Sequence, residues 1–182
     1  MVDEGVSRGE RLPPLDPFLG YLPPQQQPYL LTWGEVHEMF VVKAPYRERR
    51  QRIFAALQLF AESVWEIVPD ARLWINGGFT THKDWGAPED VDVVILGNAL
   101  SPQTKAALLH QGLLTMEQLG FQVNSKTMHI PSLKPFGGLV DAYLADVKFE
   151  DVWRAQWSRV KGPDGKIIDG LKKGFVEVIR GL

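Results

Sequence analysis

One run constrains the fold of this chain more than any other: Pro88-Glu89-Asp90-Val91-Asp92-Val93-Val94-Ile95. Its apolar, β-branched part, Val91 to Leu96, reads as a strand destined for burial. At the start of that strand stand two carboxylates, Asp90 and Asp92, at positions i and i+2. Period two sends both to one face and sends Val91 and Val93 to the other. Their Cα atoms would lie roughly 6.5 Å apart, at about 3.3 Å rise per residue. Two like charges at that spacing beside a core strand repel each other and lose hydration. A divalent cation between them removes both penalties, and hard oxygen donors with no Cys nearby favour Mg²⁺ or Mn²⁺ over zinc. Taken alone, Asp-Val-Asp suits a solvent-exposed strand start equally well.

Composition narrows what such a strand can belong to. Of 182 residues, 45% are hydrophobic and 23% charged, enough apolar material for a core without covalent staples. Cys is absent, which excludes a disulfide framework, a thiolate zinc site and a cysteine nucleophile. Twenty basic against 22 acidic residues give a net charge of −2. Nothing global therefore draws the chain to nucleic acid or anionic lipid, and such a partner would need a local basic patch. No apolar run approaches the roughly 20 residues of a membrane span, and Met1 to Glu10 has no signal-peptide core. The expectation is a cytoplasmic protein without a membrane partner.

Along the chain, residues 1–31 differ from the rest. Pro13, Pro14, Pro17, Pro23, Pro24 and Pro28 fix φ and remove donors, so this is an extended arm, neither a helix nor a central strand. Its apolar residues (Leu15, Phe18, Leu19, Tyr21, Leu22, Tyr29, Leu30) predict an arm lying on the domain surface, where it could also meet a protein partner. A single domain follows over residues 32–182, with a helical lead-in at 32–68 and a sheet at 69–182. Thr32 and Glu35 form a capping box for a short helix to about Phe40. A longer helix from Pro45 carries the stripe Ile53, Phe54, Leu57, Phe60, Ala61, Val64 and Trp65. Arg47, Arg49, Arg50 and Arg52 crowd its first turns, either as a solvated face or as an anion-binding patch. Strands are expected at Arg72–Asn76, Val91–Leu96, Phe121–Ile130 and Leu139–Ala145, with further candidates at Lys166–Ile168 and Phe175–Ile179. Pro131–Gly138 reads as loop. Ser101-Pro102 opens a helix expected to reach Leu119, and another spans Phe149 to about Val160. The class is α+β, a mixed sheet with helices packed on it.

Gly77-Gly78 follows the first of these strands directly. Paired glycines let backbone approach a ligand and turn N–H groups toward an anion, although alone they are also a plain turn. Thr80, Thr81 and Lys83 add hydroxyls and a cation. A gap of eleven residues (79–89) then separates Gly77-Gly78 from Asp90. One part would cradle phosphates while the other holds a metal that bridges them. Asp141, inside the apolar run Leu139 to Leu144, is the preferred third carboxylate, because a buried carboxylate is costly unless paired or on metal. Asp146, at the end of that run, is its rival.

Gly77-Gly78, the gap, Asp90-Val91-Asp92-Val93 and the later Asp141 together resemble the nucleotidyltransferase superfamily with the DNA polymerase beta-like fold. Beyond this motif, Leu22-Pro23-Pro24, Thr32 to Val36, Arg47, Trp74 to Lys83, Pro88 to Val94 and Lys173 to Val178 resemble a small, poorly characterised bacterial and phage family within it. Two positions depart from the pattern. Asn76 stands where an apolar residue is usual, and Gly78 replaces a frequent Ser, whose hydroxyl Thr80 or Thr81 would supply.

The resemblance implies a minimal polymerase-beta-like fold and transfer of a nucleoside monophosphate from an NTP to a hydroxyl of RNA (a tRNA end, for instance), protein or a small molecule. Asp90, Asp92 and Asp141 would hold Mg²⁺ or Mn²⁺ and do the catalytic work. Backbone N–H groups of Gly78 and Phe79 would hold the β- and γ-phosphates, with Gly77, Thr80, Thr81 and Lys83 around them. It also implies a toxin–antitoxin or phage–host setting. Two other readings fit the same residues. One is an inactive module on this fold that binds a partner protein; the other is a metal-dependent hydrolase using the same carboxylates.

Overall fold

The computed structural model describes residues 12–98 and 100–180; the Met1 to Glu10 segment read above for a signal peptide lies outside them. β1 (Tyr29–Leu31) comes first, from the last residues of the proline-rich arm. Thr32 then caps α1 (Trp33–His37): its hydroxyl accepts from the Glu35 amide at 3.3 Å while Glu35 Oε2 accepts from the Thr32 amide at 2.8 Å. A π-helical turn (Glu38–Val42) leads to α2 (Arg47–Ile67). The stripe expected on this helix is buried from Ile53 to Trp65. β2 (Arg72–Asn76), β3 (Val91–Gly97), α3 (Pro102–His110), β4 (Met116–Val123) and β5 (Lys126–Leu133) follow. After them come the one-turn α4 (Pro135–Gly138), β6 (Val140–Asp146), α5 (Glu150–Trp157), β7 (Arg159–Lys161), β8 (Ile167–Lys172) and β9 (Val176–Val178).

The central sheet has the order β1-β9-β2-β3-β6. β3 runs parallel to β6 and antiparallel to β2, and β1 runs parallel to β9. This mixed sheet with packed helices is the α+β class expected. Strand alternation divides its two faces. Leu73, Ile75, Val91, Val93, Ile95, Val140 and Ala142 join Ile53, Leu57, Phe60 and Val64 of α2 in the main core. Each of the Val, Leu, Ile and Phe side chains among them contributes about 1.5–3 kcal/mol when fully buried. The opposite face carries Trp74, Val94, Leu96 and Ala145, covered by Trp157 of α5 and by Phe175. Among the described residues no helix is long and apolar enough to cross a membrane.

Three expectations change. The helix from Pro102 ends at His110, because Gly112 takes φ +67 and turns the chain so that Leu113 is buried. Met116 to Leu119, expected within that helix, belong to a strand. The single strand expected over Phe121–Ile130 is a hairpin, β4 with β5, reversing at Asn124-Ser125. Both turn residues have positive φ (48° and 63°), the conformation of a two-residue type I′ connection. Pro131 to Leu133 therefore continue β5 and are not loop. The arm also differs in part from a surface layer: Phe18 is exposed, but Tyr21 and Leu22 are buried.

Candidate functional site

The sheet's parity places the acids. Asp92 sits between core residues Val91 and Val93, so it points to the face opposite α2. Across the parallel β3–β6 pair its partner is Asp141, and across β2–β3 it is Asn76. Asp90, two residues earlier, shares the side. Lys134 Nζ bridges two of the carboxylates, 2.5 Å from Asp90 Oδ2 and 2.7 Å from Asp141 Oδ2. Burial alone would lower the Lys134 pKa, but its hydrogen bonds to Asp141 and Asp90 raise it above the ordinary lysine value. Among the described residues Asp92 has no such ion pair. Burial first, then repulsion from Asp90 and Asp141, pushes its pKa up to about 6, against the opposing charges of Lys173 and Lys134. Burial and the neighbouring Asp141 and Asp92 likewise push the Tyr143 phenol up to about 12.

Gly77 is required twice. Its φ is +81°, and a Cβ there would stand 1.8 Å from Asp92 Oδ2. The carboxylate therefore rests directly on the turn backbone, a position only glycine leaves open. A Cβ on Gly78 would stand 3.3 Å from Lys83 Nζ, so this ammonium also lies against the turn. Thr81 Oγ1 donates to the Gly77 carbonyl at 3.0 Å. Asn76 Nδ2 donates to the Trp157 carbonyl at 2.9 Å, which explains a polar residue at this strand end: it ties the turn to α5.

Arg50 supports the turn from below. Its buried guanidinium donates to the carbonyls of Pro45 (2.6 Å), Phe40 (3.1 Å), Phe79 (2.6 Å), Gly78 (3.4 Å) and Thr81 (2.6 Å). Burial lowers its pKa to about 10. The arginine cluster of α2 is thus neither one solvated face nor one patch. Arg50 is buried, Arg49 donates to the carbonyls of Pro88 and Glu89, and Arg47 and Arg52 are exposed. His82 is structural as well, its Nε2 lying 2.7 Å from the Met39 carbonyl.

A cavity of about 470 Å³ opens beside Asp92. Gly77, Gly78, Thr81 and Lys83 line it, together with an aromatic wall of Tyr143, Trp153 and Trp157. Arg159 and Lys161 from β7 and Lys173 from the β8–β9 link add three cations, while Leu19 and Tyr21 of the arm close one side. Burial, aided by Lys161 and Lys83 and opposed by Asp92, lowers the Lys173 pKa to about 8. The arm is pinned on both sides of Tyr21 in sequence. Gly20 O accepts from the His82 amide at 2.7 Å, and Leu22 O accepts from the Gly174 amide at 2.8 Å.

Of the residues singled out in the sequence, Gly77, Gly78, Thr81, Lys83 and Asp92 line this cavity. Asp90 and Asp141 meet Asp92 at the strand heads without lining it. Phe79 and Thr80 turn inward: the Phe79 ring packs on Phe40, and the Thr80 hydroxyl donates to Asn76 Oδ1 and the Gly77 carbonyl at 3.4 Å each. That leaves Phe79 only its backbone for a ligand, and removes Thr80 as a replacement for the absent serine hydroxyl. Asp146 lies at the far end of β6, opposite Gly97, and accepts from the Lys148 amide. Lys134, Lys161, Lys173 and the aromatic wall were not legible as site residues. Lysines ahead of a strand and tryptophans on a helix carry no local signal separating a ligand contact from a rim or core position.

Among the described residues no group of three or more His, Asp or Glu side chains is arranged to hold a metal ion. The donor chemistry nonetheless fits a hard cation. Among the described residues Asp141 Oδ1 is buried without a hydrogen-bond partner, and the Lys134 ammonium that pairs with Asp90 and Asp141 leaves Asp92 without an ion pair. A family model described as a family of unknown function (DUF6932) matches residues 13–179. No curated protein and no solved structure matches the chain.

Proposed function

We propose that this chain, which belongs to the family of unknown function DUF6932, is a metal-dependent nucleotidyltransferase. It would move a nucleoside monophosphate from an NTP to an acceptor hydroxyl: the hydroxyl oxygen bonds to the α-phosphorus and pyrophosphate leaves. The observation that carries the reading is the approach of Asp90, Asp92 and Asp141 at the heads of β3 and β6, with Asp92 resting on Gly77 at the mouth of a cation-lined cavity. Asp141 is 49 residues from Asp92 in sequence, so its meeting with the other two acids is a property of the fold.

The three carboxylates would hold Mg²⁺ or Mn²⁺. Such an ion, when bound, stabilises charge on phosphoryl oxygens as a Lewis acid. The chain's own residues account for the rest of the substrate. Lys83, Arg159, Lys161 and Lys173 offset a polyphosphate charge that a single helix end or lysine would not. Backbone at Gly77-Gly78 approaches it without a side chain intervening. Tyr143, Trp153 and Trp157 offer flat apolar surface to a base.

Purified protein incubated with labelled NTP, Mn²⁺ and a cell extract is expected to label an acceptor, and Asp92→Asn is expected to abolish that labelling while the melting temperature stays above working temperature. Equal labelling by wild type and Asp92→Asn would falsify the reading. Lys134 gives one specific reason to keep a second reading, a binding module in which its ammonium is a permanent counter-ion. That reading predicts no calorimetric binding of Mn²⁺ or NTP.

A further inference from the structure

Lys134 lies 44 residues from Asp90 in sequence, yet its Nζ is within 2.7 Å of carboxylates on two different strand heads. We infer that Lys134 is the resident counter-cation of the acidic cluster, and that a divalent ion binds there by displacing its ammonium. The inference rests on the metal-dependent reading above.

Three observations carry it. The ammonium contacts one oxygen each of Asp90 and Asp141, so it stands where a bridging cation would. A lysine ammonium is a single point charge on a flexible stem, whereas a divalent ion brings twice the charge and takes six or more oxygens. The cluster still has unmet demand: among the described residues Asp141 Oδ1 makes no hydrogen bond of good geometry, although the Tyr143 phenol lies near Asp141, and Asp92 has no ion pair. Finally, Lys134 sits where a mostly exposed strand gives way to a turn anchored by buried Pro135 and by the Phe136 ring on Phe60, so its ammonium can swing away on its own flexible stem while the turn stays put. β5 before it is exposed along nearly its whole length, and Phe136, Gly137 and Gly138 after it all have positive φ (52°, 65° and 86°).

Competition and support predict opposite signs. Two cations repel at shared carboxylate oxygens, so removing the Lys134 charge strengthens metal binding if the ammonium competes. If Lys134 instead holds the carboxylates in their metal-binding arrangement, removing it weakens binding.

The test is calorimetric titration of the full chain with MnCl₂, alongside melting in EDTA, for wild type, Lys134→Gln and Lys134→Arg. Lys134→Gln is expected to melt lower than wild type without metal and to bind Mn²⁺ about tenfold more tightly, ~1.4 kcal/mol. Lys134→Arg keeps the charge and grips two carboxylates with a planar fork. It is expected to bind Mn²⁺ more weakly than wild type, and it carries the test if Lys134→Gln does not fold. Equal or weaker binding by Lys134→Gln, or equal or tighter binding by Lys134→Arg, overturns this inference and leaves the nucleotidyltransferase reading standing. No Mn²⁺ binding by any of the three proteins overturns both.

Discussion

At position 50 a guanidinium is buried with no carboxylate of the described residues paired to it, and five carbonyls serve in place of a counter-ion. Those carbonyls belong to two segments, the π-helical turn with its exit (Phe40, Pro45) and the glycine turn (Gly78, Phe79, Thr81). One side chain thereby fixes the height of the turn on which Asp92 rests. Arg50→Met fills similar volume but strands those acceptors. Because an orphaned buried polar group costs about 1–3 kcal/mol, and several are orphaned at once, chemical denaturation should report a loss of about 3 kcal/mol or more. A loss below 1 kcal/mol would mean that water replaces the guanidinium and that the turn does not depend on it. The same position marks a limit of reading residues from sequence. Four arginines in six positions look alike in one dimension, and only the partners, 28 to 31 residues away, distinguish the buried one.

Elements differ in how far their neighbours decide them. β3 and α2 were legible because their periods hold over six or more residues and agree with what they bury. The register that sets Asp92 beside Asp141 was legible only as a preference for Asp141, since a buried carboxylate demands a partner wherever it lies. The stretch after α3 was misread because Leu113, Leu114, Met116 and Leu119 continue an apolar helical spacing beyond His110. Gly112 ends it, and the reversal at Asn124-Ser125 lacks the Asn-Gly pair that announces a type I′ turn. Ser125 holds φ +63° without being glycine. Ser125→Gly should therefore stabilise the hairpin by about 1 kcal/mol, the scale of a left-handed penalty. Slower amide exchange across β4 and β5 would register it, and faster exchange would refute the assigned turn.

For the whole molecule, the cavity is assembled from parts remote in sequence: the arm at Leu19 and Tyr21, the glycine turn, α5, β7 and Lys173. Its closure on the arm side depends on Gly174. A Cβ there would stand 2.5 Å from both the Pro23 carbonyl and Tyr29 Cε2, and 3.2 Å from Leu22 Cβ. Gly174→Ala should push the arm off the sheet, at a cost of about 1–3 kcal/mol for overpacking a tight joint. Loss of stability together with faster proteolysis between residues 20 and 30 is the expected result. Unchanged stability would show that the arm yields freely.

β1 has a single neighbour in the sheet, β9, and its register partners Tyr29 and Val176 are 147 residues apart in sequence. During synthesis β1 must wait, unpaired, until residues 176–178 have left the ribosome. Contacts this distant in sequence are slow to form. Until β9 arrives, the nascent chain carries an open sheet edge and an unfinished cavity wall, so the pocket matures only after Lys173 and the strand that follows it have been made.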